Sequence, residues 1–405
     1  MANDFTASFE EVRAKEQQIT FFKRSVAMVV ADTSFRATMK SWDVLRRIYR
    51  GVSADDTPDV YVRGEDMPER SETDTAETLT VNKQFGIAIP FDDFDEIQSK
   101  YNLAVSYGND YWIIMQTQID ADVLGEVVNG ASTVDGWDVG ATTGDGIVLT
   151  IVNVLNVITS VTKKLSLLNI YETSKFGIVS PQFEEVISLY YGAKATDLGD
   201  KVSQNGFFKT ISGYELYSSN NLTGTASLGL ATNPTAGDTI VINGVTFTAQ
   251  STIGTTAGNF KIGGNVDATR ATLEAFIASP STTSANQIAL SATNARNFKA
   301  RVSAVNDDTA NTLVVTYKGV WVLTVSETLT AGGDVWTTTQ QKQHCVFGIK
   351  KKGTTLVMQK APTVEKERIQ RQLWDRIKNG MLYGLKTFRD NSQRLVNVEI
   401  ASSAY

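Results

Sequence analysis

The chain has 405 residues, a formal net charge of -6, one histidine and one cysteine, and its length favours two or three domains, each with an interior of its own. A single cysteine, Cys345, excludes an internal disulfide framework, and a single histidine, His344, argues against a histidine-built metal site or a Ser-His or Cys-His catalytic pair. The acidic balance argues against a surface made for tight nucleic-acid binding; no run is apolar enough to cross a bilayer and no leader pattern opens the chain, so a soluble, cytoplasmically made protein is expected.

Ser8 and Glu11 form a capping box for a short first helix, and Phe35, Met39, Trp42, Leu45 and Ile48 recur at the spacing of a second. Between Gly51 and Asn82 the chain turns polar, too long for a loop folded on its own domain. From about Asp92 to Val128 the apolar and small residues Phe94, Ile97, Tyr101, Ala104, Gly108, Tyr111 and Met115 fall at alternating steps of three and four, then shift phase to Ile119, Val123 and Val127. That pattern predicts one helix of roughly 50–55 Å at 1.5 Å per residue. Gly108 shares a stripe with Tyr101, Tyr111 and Met115, where a side chain would separate packed elements.

Asp145 is expected to cap a helix through Ile147, Ile151, Leu155, Ile158 and Leu165. Ser180-Pro181 is a cleaner start, a cap followed by proline at the first helical position, with Phe183, Val186 and Leu189 as the buried face. Strands are predicted over 207–217 and 345–359, so one sheet should join segments far apart in sequence.

Composition changes between Leu222 and Gln343, where 14 of 122 residues are charged and 24 are threonine. This contrast marks an inserted, mostly β domain. Ile240 and Ile242 face Val245 and Phe247 across Asn243-Gly244, a type I′ hairpin signal. Asp267 is expected to cap a helix carrying Leu273, Phe276 and Ile277, and strands should follow around Leu313-Val314-Val315 and Val320-Trp321-Val322.

Phosphate-binding loops, paired metal-ligand cysteines, nucleophile elbows and zinc-protease helices are absent from the sequence. Gly254, Gly258, Gly263 and Gly264 lack the lysine spacing of a phosphate cradle and read as turn glycines. His344 and Cys345 are adjacent in a predicted strand and point to opposite faces. Asp92, Asp93, Asp95 and Glu96 cluster at the expected helix start, where the macrodipole favours acids without any cation. No catalytic, cofactor-binding or metal residues are assigned. Charge, however, is segmental: residues 51–82 hold nine acidic residues against Arg63 and Arg70, whereas 349–405 hold twelve basic against five acidic. Asp55, Asp56 and Asp59 on this acidic arm, and Lys350, Lys351 and Lys352 on the basic segment, are candidates for a contact between subunits.

The order and spacing of these elements resemble the major capsid proteins of tailed bacteriophages, which share the Hong Kong phage capsid fold. The resemblance covers residues 1–221 and 344–405, about seven-tenths of the chain. It is carried by the long helix, by the run Gly213-Tyr214-Glu215-Leu216-Tyr217-Ser218-Ser219-Asn220-Asn221-Leu222, and by the terminal run from Cys345 through Gly380-Met381-Leu382-Tyr383-Gly384-Leu385-Lys386 to Val398. The implied fold class is α+β, with an N-terminal arm (1–50), an extended E-loop (51–90), a spine helix and peripheral domain (91–144) and an axial domain (145–221). The inserted β-rich domain (222–343) and a return to the axial and peripheral domains (344–405) complete it. The insert resembles a small module of phage structural proteins, through Gly237-Asp238-Thr239-Ile240-Val241-Ile242-Asn243-Gly244-Val245-Thr246-Phe247 and Ile262-Gly263-Gly264.

The resemblance implies a non-enzymatic shell subunit without cofactors, forming pentamers and hexamers around double-stranded DNA in the virion. Its partners would be further copies of itself, a separate scaffolding protein, a portal and DNA bound without sequence reading, with no membrane involved. Some relatives crosslink lysine to asparagine through the E-loop, but residues 51–82 contain no lysine, so no such crosslinking through the loop tip is expected. The alternative is a tail-associated or surface binding protein in which the Thr-rich module is the binding part.

Overall fold

A computed structural model gives the fold, and describes residues 23, 25–35, 44–51, 57–64, 66–67, 69–92, 103–141, 145–192, 210–320, 323–330, 334–337, 341–368 and 374–401. The expected first helix at Ser8, together with Met39, Trp42, Asp55, Asp56 and Tyr101, lies outside them.

The chain begins with a single helical turn, α1 (Ala27–Val30), and then two strands, β1 (Val44–Tyr49) and β2 (Thr75–Thr80), that form an antiparallel ribbon from Val44↔Thr80 to Tyr49↔Thr75. Here the predicted second helix is corrected, because Leu45 and Ile48 belong to β1. Helical spacing was present locally, but a partner strand distant in sequence supplies the ladder that decides the conformation. β3 (Lys83–Asp92) follows, so Asp92 ends a strand rather than starting the long helix.

That helix, α2 (Leu103–Gly130), has 28 residues among those described, about 42 Å at 1.5 Å per residue. Its second half carries Met115, Ile119, Val123, Leu124 and Val127 into the main core, as the phase shift predicts. Gly108 is buried, Tyr111 half-buried and Met115 buried. The chain then passes through β4 (Ser132–Val134) and a 3-10 turn, Gly136–Val139, to α3 (Val154–Leu167). This helix begins later than Asp145 because Ile147 is held in extended backbone beside β18 (Leu395–Ala401), its N–H bonding Glu399 O at 2.8 Å. Val154, Val157, Ile158, Val161 and Leu165 form its buried face.

β5 (Lys175–Val179) leads to α4 (Pro181–Gly192), where the Ser180 hydroxyl accepts from Phe183 N at 3.2 Å as the sequence predicts. The buried face is Phe183 and Ile187; Leu189, expected inside, is 52% exposed. β6 (Thr210–Ile211) and β7 (Tyr214–Ser218) precede the Thr-rich region.

That region supplies β8 (Thr223–Gly229), β9 (Thr239–Ile242), β10 (Val245–Gln250), β11 (Asn259–Lys261), α5 (Val266–Ala278), α6 (Ala292–Arg301), β12 (Val302–Asp307), β13 (Thr312–Lys318) and β14 (Val325–Glu327). The β9–β10 hairpin has the expected register, Ile242↔Val245 and Ile240↔Phe247, with Asn243 and Gly244 at φ of 47° and 79°. Asn265, not Asp267, caps α5, accepting from Ala268 N at 2.8 Å; Asp267 sits in the first turn and pairs with the buried Arg270 guanidinium. Helix α6, capped by Ser291, is an element the sequence reading missed: its buried residues are only Ala295 and Phe298, too few for a clear periodic signal. The strand expected at Val320 lies instead at Val325–Glu327, and Trp321 and Val322 are outside the described residues.

The chain returns through β15 (Lys342–Ile349), β16 (Thr355–Arg368), β17 (Trp374–Lys386), the short α7 (Arg389–Gln393) and β18. The single strand expected over 345–359 is therefore two, divided by a turn in which Lys351 has φ 57°, and the two enter different sheets. β15 joins a nine-stranded sheet of order β12-β13-β8-β15-β5-β7-β6 to which β18 and β4 are added. One edge of β15 pairs with β18, while the other is shared, β8 against Lys342–His344 and β5 against Val346–Ile349. The Thr-rich region is thus spliced into the host sheet, yet Phe247, Phe260, Phe276, Phe298 and Leu313 give it a core of its own. β16, β17 and β3 form the third layer, in that order. The distal end of β16 carries exposed side chains and makes cross-strand ion pairs with β17, such as Lys366–Asp375 at 2.8 Å.

A Cβ on Gly108 would stand 3.1 Å from Val364 Cγ1 of β16, tighter than ordinary packing. Gly108→Leu should therefore cost roughly 1–3 kcal/mol by overpacking, and Gly108→Ala less. The denaturant midpoint reads this, and an unchanged midpoint for the leucine variant would show that the contact gives way freely.

Candidate assembly surfaces

Two buried carboxylates on α2 join most of the layers. Asp120 accepts from Val26 N at 2.6 Å, Ala27 N, the Ser25 hydroxyl at 3.2 Å and Asn221 Nδ2 at 2.9 Å. It caps α1 across 93 residues and holds the start of the Thr-rich region; burial raises its pKa, and these hydrogen bonds oppose the shift. Asp122 accepts from the Tyr383 hydroxyl of β17 at 2.6 Å and pairs with Lys83 of β3 at 3.0 Å and Lys318 of β13 at 3.5 Å. Burial, then the Asp122 charge, pushes the Tyr383 phenol up, so it stays a donor.

The ribbon β1–β2 is the base of the arm and is anchored along its length, from Leu79 to Tyr49. Arg47 pairs with Asp390 at 2.6 Å and lies over the Phe388 ring at 5.4 Å, while Lys386 Nζ donates to Thr78 O at 3.0 Å. Leu79, Val81, Val357 and Phe388 form a small core under this base, with Leu45 and Tyr49 against it. Beyond Tyr49 the described residues as far as Asp74 are all exposed, including Val60 at 85%, Tyr61, Val62 and Met67 at 69%. Contiguous exposed apolar side chains on a protruding arm are the mark of a surface made to be covered.

Among solved structures, a chain from Mycobacterium phage Che8 aligns at a TM-score of 0.57 and 14% identity, over 98% of this chain and 98% of its own. A chain from the capsid structure of the cyanophage P-SCSP1u aligns at 0.57 and 10% identity, over 99% and 95%. One from the capsid of the Myoviridae phage XM1 aligns at 0.51 and 7% identity, over 98% and 99%. The chain has the phage capsid fold. No family model matches the sequence, and no curated protein matches it.

Within this capsid fold, the charged residues singled out from sequence are only partly brought together. Asp59 pairs with Arg70 of its own arm at 2.5 Å. Lys350 pairs with Glu215 beside the Tyr217 ring, and Lys352 with Glu172 at 2.9 Å, whereas Lys351 makes no ion pair among the described residues. The sequence reading found the acidic and basic segments but missed Asp120 and Asp122, because an acid on a helix reads as a solvated face. The signal for Asp120 was position, since it falls within the apolar phase of Ile119, Val123 and Leu124, whereas Asp122 falls outside that phase.

His344 and Cys345 point to opposite faces of β15, as expected of adjacent strand residues. Burial pushes the Cys345 thiol up to about 12, leaving it an unreactive core residue. His344 sits where β8 gives way to β5, its Nδ1 3.1 Å from Asn397 Oδ1 and its Nε2 2.9 Å from the Thr225 hydroxyl. A neutral ring satisfies both, Nδ1–H donating and Nε2 accepting. Among the described residues no group of three histidine, cysteine or acidic side chains could hold a metal ion.

Asp120→Ala strands several buried donors and should cost roughly 3 kcal/mol, with Asp120→Asn losing less; denaturant unfolding compares them, and equal losses would show that the acceptor is not what matters. Burial pushes the His344 pKa down to about 4 from 6.5. Its contribution is complete above the unfolded value and is lost as pH falls from 6.5 towards 4, because the unfolded chain takes the proton first. The loss should be on the order of 3 kcal/mol over that window, and His344→Gln should flatten the slope. Parallel slopes for the two proteins would assign the acid sensitivity elsewhere.

Proposed function

We propose that this chain is a major capsid protein, a structural subunit that self-assembles into pentamers and hexamers of an icosahedral shell. The shell encloses double-stranded phage DNA without reading its sequence; it is assembled in the bacterial cytoplasm with a separate scaffolding protein and a portal. The observation that carries this reading is the combination of a capsid fold along 98% of the chain with an arm whose apolar side chains have no cover among the described residues. A tail-associated role for the Thr-rich module is not favoured, since the matches to capsid structures span that module as well.

In this reading the ribbon and the segment between its strands are the E-loop, α2 is the spine helix, and the sheet of β16, β17 and β3 is the peripheral layer. The β5–β7 region with α3 and α4 is the axial domain. The subunit acts by burying surface against its copies rather than by catalysis. Area of this kind is what a lasting assembly needs, since stable obligate interfaces bury about 2,000 Å² or more.

Purified protein, alone and with the phage's scaffolding protein, should form closed shells by electron microscopy; only amorphous aggregate under both conditions would overturn the proposal. The acidic arm supplies the finer test. Reversing Asp55, Asp56 and Asp59 to lysine should slow assembly while leaving the melt nearly unchanged, because exposed charges contribute ~0–1 kcal/mol each. Glutamates at Lys350, Lys351 and Lys352 should restore the rate if those lysines face a neighbour's arm. Lys350 and Lys352 also lose partners in their own chain by that change, so the melt of the double variant is measured alongside. Strictly additive assembly defects would remove this pairing.

A further inference from the structure

The Thr-rich module and the host keep separate apolar cores, so apart from the shared sheet the module is held against α2 mainly by polar groups. Asn221, at the root of the module, donates through Nδ2 to Thr117 O and to Asp120 Oδ2, both at 2.9 Å. Gln118 Nε2 donates to Ala300 O at 3.2 Å, and Gln118 Oε1 accepts from Arg301 Nε at 3.2 Å, at the end of α6. Lys318 of β13 pairs with Asp122 at 3.5 Å. Gly319, which follows β13 at a φ of 80°, comes closest to the helix. A Cβ there would stand 2.8 Å from Asn221 Oδ1 and 3.1 Å from Ala121 Cβ.

One stretch of chain touches both sides of this seam. Ser25, Val26 and Ala27 donate to Asp120 on the helix, and just before them Lys23 Nζ donates to Gly319 O of the module. The module end of this strap is under electrostatic load. The Arg301 guanidinium stands at the same glycine, its Nη1 3.6 Å from that Cβ position, so two cations meet at one residue. Burial, then the Arg301 charge, lowers the Lys23 pKa, and Asp120 opposes the shift. A seam without a shared apolar core, closed by a cation that a second cation repels, opens at low cost.

We propose that Lys23 and residues 25–27 are a latch that closes the Thr-rich module onto α2, in which Lys23 on Gly319 is the contact that releases and the Arg301 charge keeps that contact weak. When the latch opens, β8 still pairs with β15 and β13, so the seam against α2 parts while the fold persists. The device belongs to the single chain and does not depend on the shell-subunit reading above.

Hydrogen exchange read by mass spectrometry on the full chain tests this with two variants. Lys23→Met keeps the apolar stem and removes the donor; Arg301→Gln removes the charge and leaves an amide able to face Gln118. In Lys23→Met the amides of 25–31 and 312–320 should exchange roughly tenfold faster together, because a hydrogen bond from a charged donor is lost. The β9–β10 hairpin, inside the module, should keep its wild-type rate. In Arg301→Gln both segments should exchange roughly threefold more slowly, the size of a part-exposed charge pair. A purely structural role for Arg301, through its bond to Gln118, gives the opposite sign, and this variant decides the matter alone if Lys23→Met does not fold. Unchanged exchange at 312–320 in Lys23→Met, or equal or faster exchange in Arg301→Gln, would overturn the latch.

Discussion

Asp120 and Asp122 are the constraint on which the arrangement of this subunit depends. Two residues apart on a helix, they point to nearly opposite sides, and both are buried. A carboxylate taken out of water is costly unless its lone pairs are matched, and here every partner comes from a distant part of the chain. Asp120 is matched by residues 25–27 and Asn221, Asp122 by Lys83, Lys318 and Tyr383. The helix can settle only when the N-terminal segment, the root of the Thr-rich region and the β3–β17 layer are all in place. Apolar packing of Val123 and Val127 tolerates sliding; hydrogen-bonded carboxylates do not, so they set the register between layers.

The Thr-rich region combines a core of its own with strands of the central sheet. It has an aromatic cluster of its own, with Phe247 edge-on to Phe276 at 5.2 Å. Its strands nevertheless continue the host sheet through β8 and the shared edge of β15. The join is polar: Thr225, His344 and Asn397 bond across three strands at the point where one neighbour of β15 replaces the other. Directional bonds at this join specify which strand follows which, something interchangeable apolar side chains would leave open.

Finished interior and unfinished periphery divide cleanly. The central sheet and the inner faces of α3 and α4 bury apolar side chains within one chain, whereas the arm beyond Tyr49, Val364 and Trp374 on the β16–β17 ladder and the turn at Ile151 leave theirs in water. The ion pairs along that ladder hold strand register but add little stability, being exposed. Under the proposed shell function, stability of these parts is left to contacts with other copies, which would tie folding of the arms to subunit concentration.

The sequence by itself determined the elements whose cause is local. The Asn243-Gly244 hairpin follows from the positive dihedrals those two residues accept, the start of α4 from Ser180-Pro181, and the second half of α2 from its three-and-four spacing. The second hydrophobic cluster starts at Ala226, while Leu222 still belongs to the main core. Only the tertiary structure decided the rest, because the deciding groups lie far apart in the chain. Leu45 and Ile48 keep helical spacing yet form a strand, since the ladder of β2 begins 26 residues after Tyr49. Asp92 looks like a helix start yet closes β3, since Trp374 pairs with it across the sheet. Asp120 and Asp122 read as solvent-facing acids until the layers close over them. Local sequence sets what a segment can do; the satisfaction of buried polar groups and unpaired edges by remote partners sets what it does.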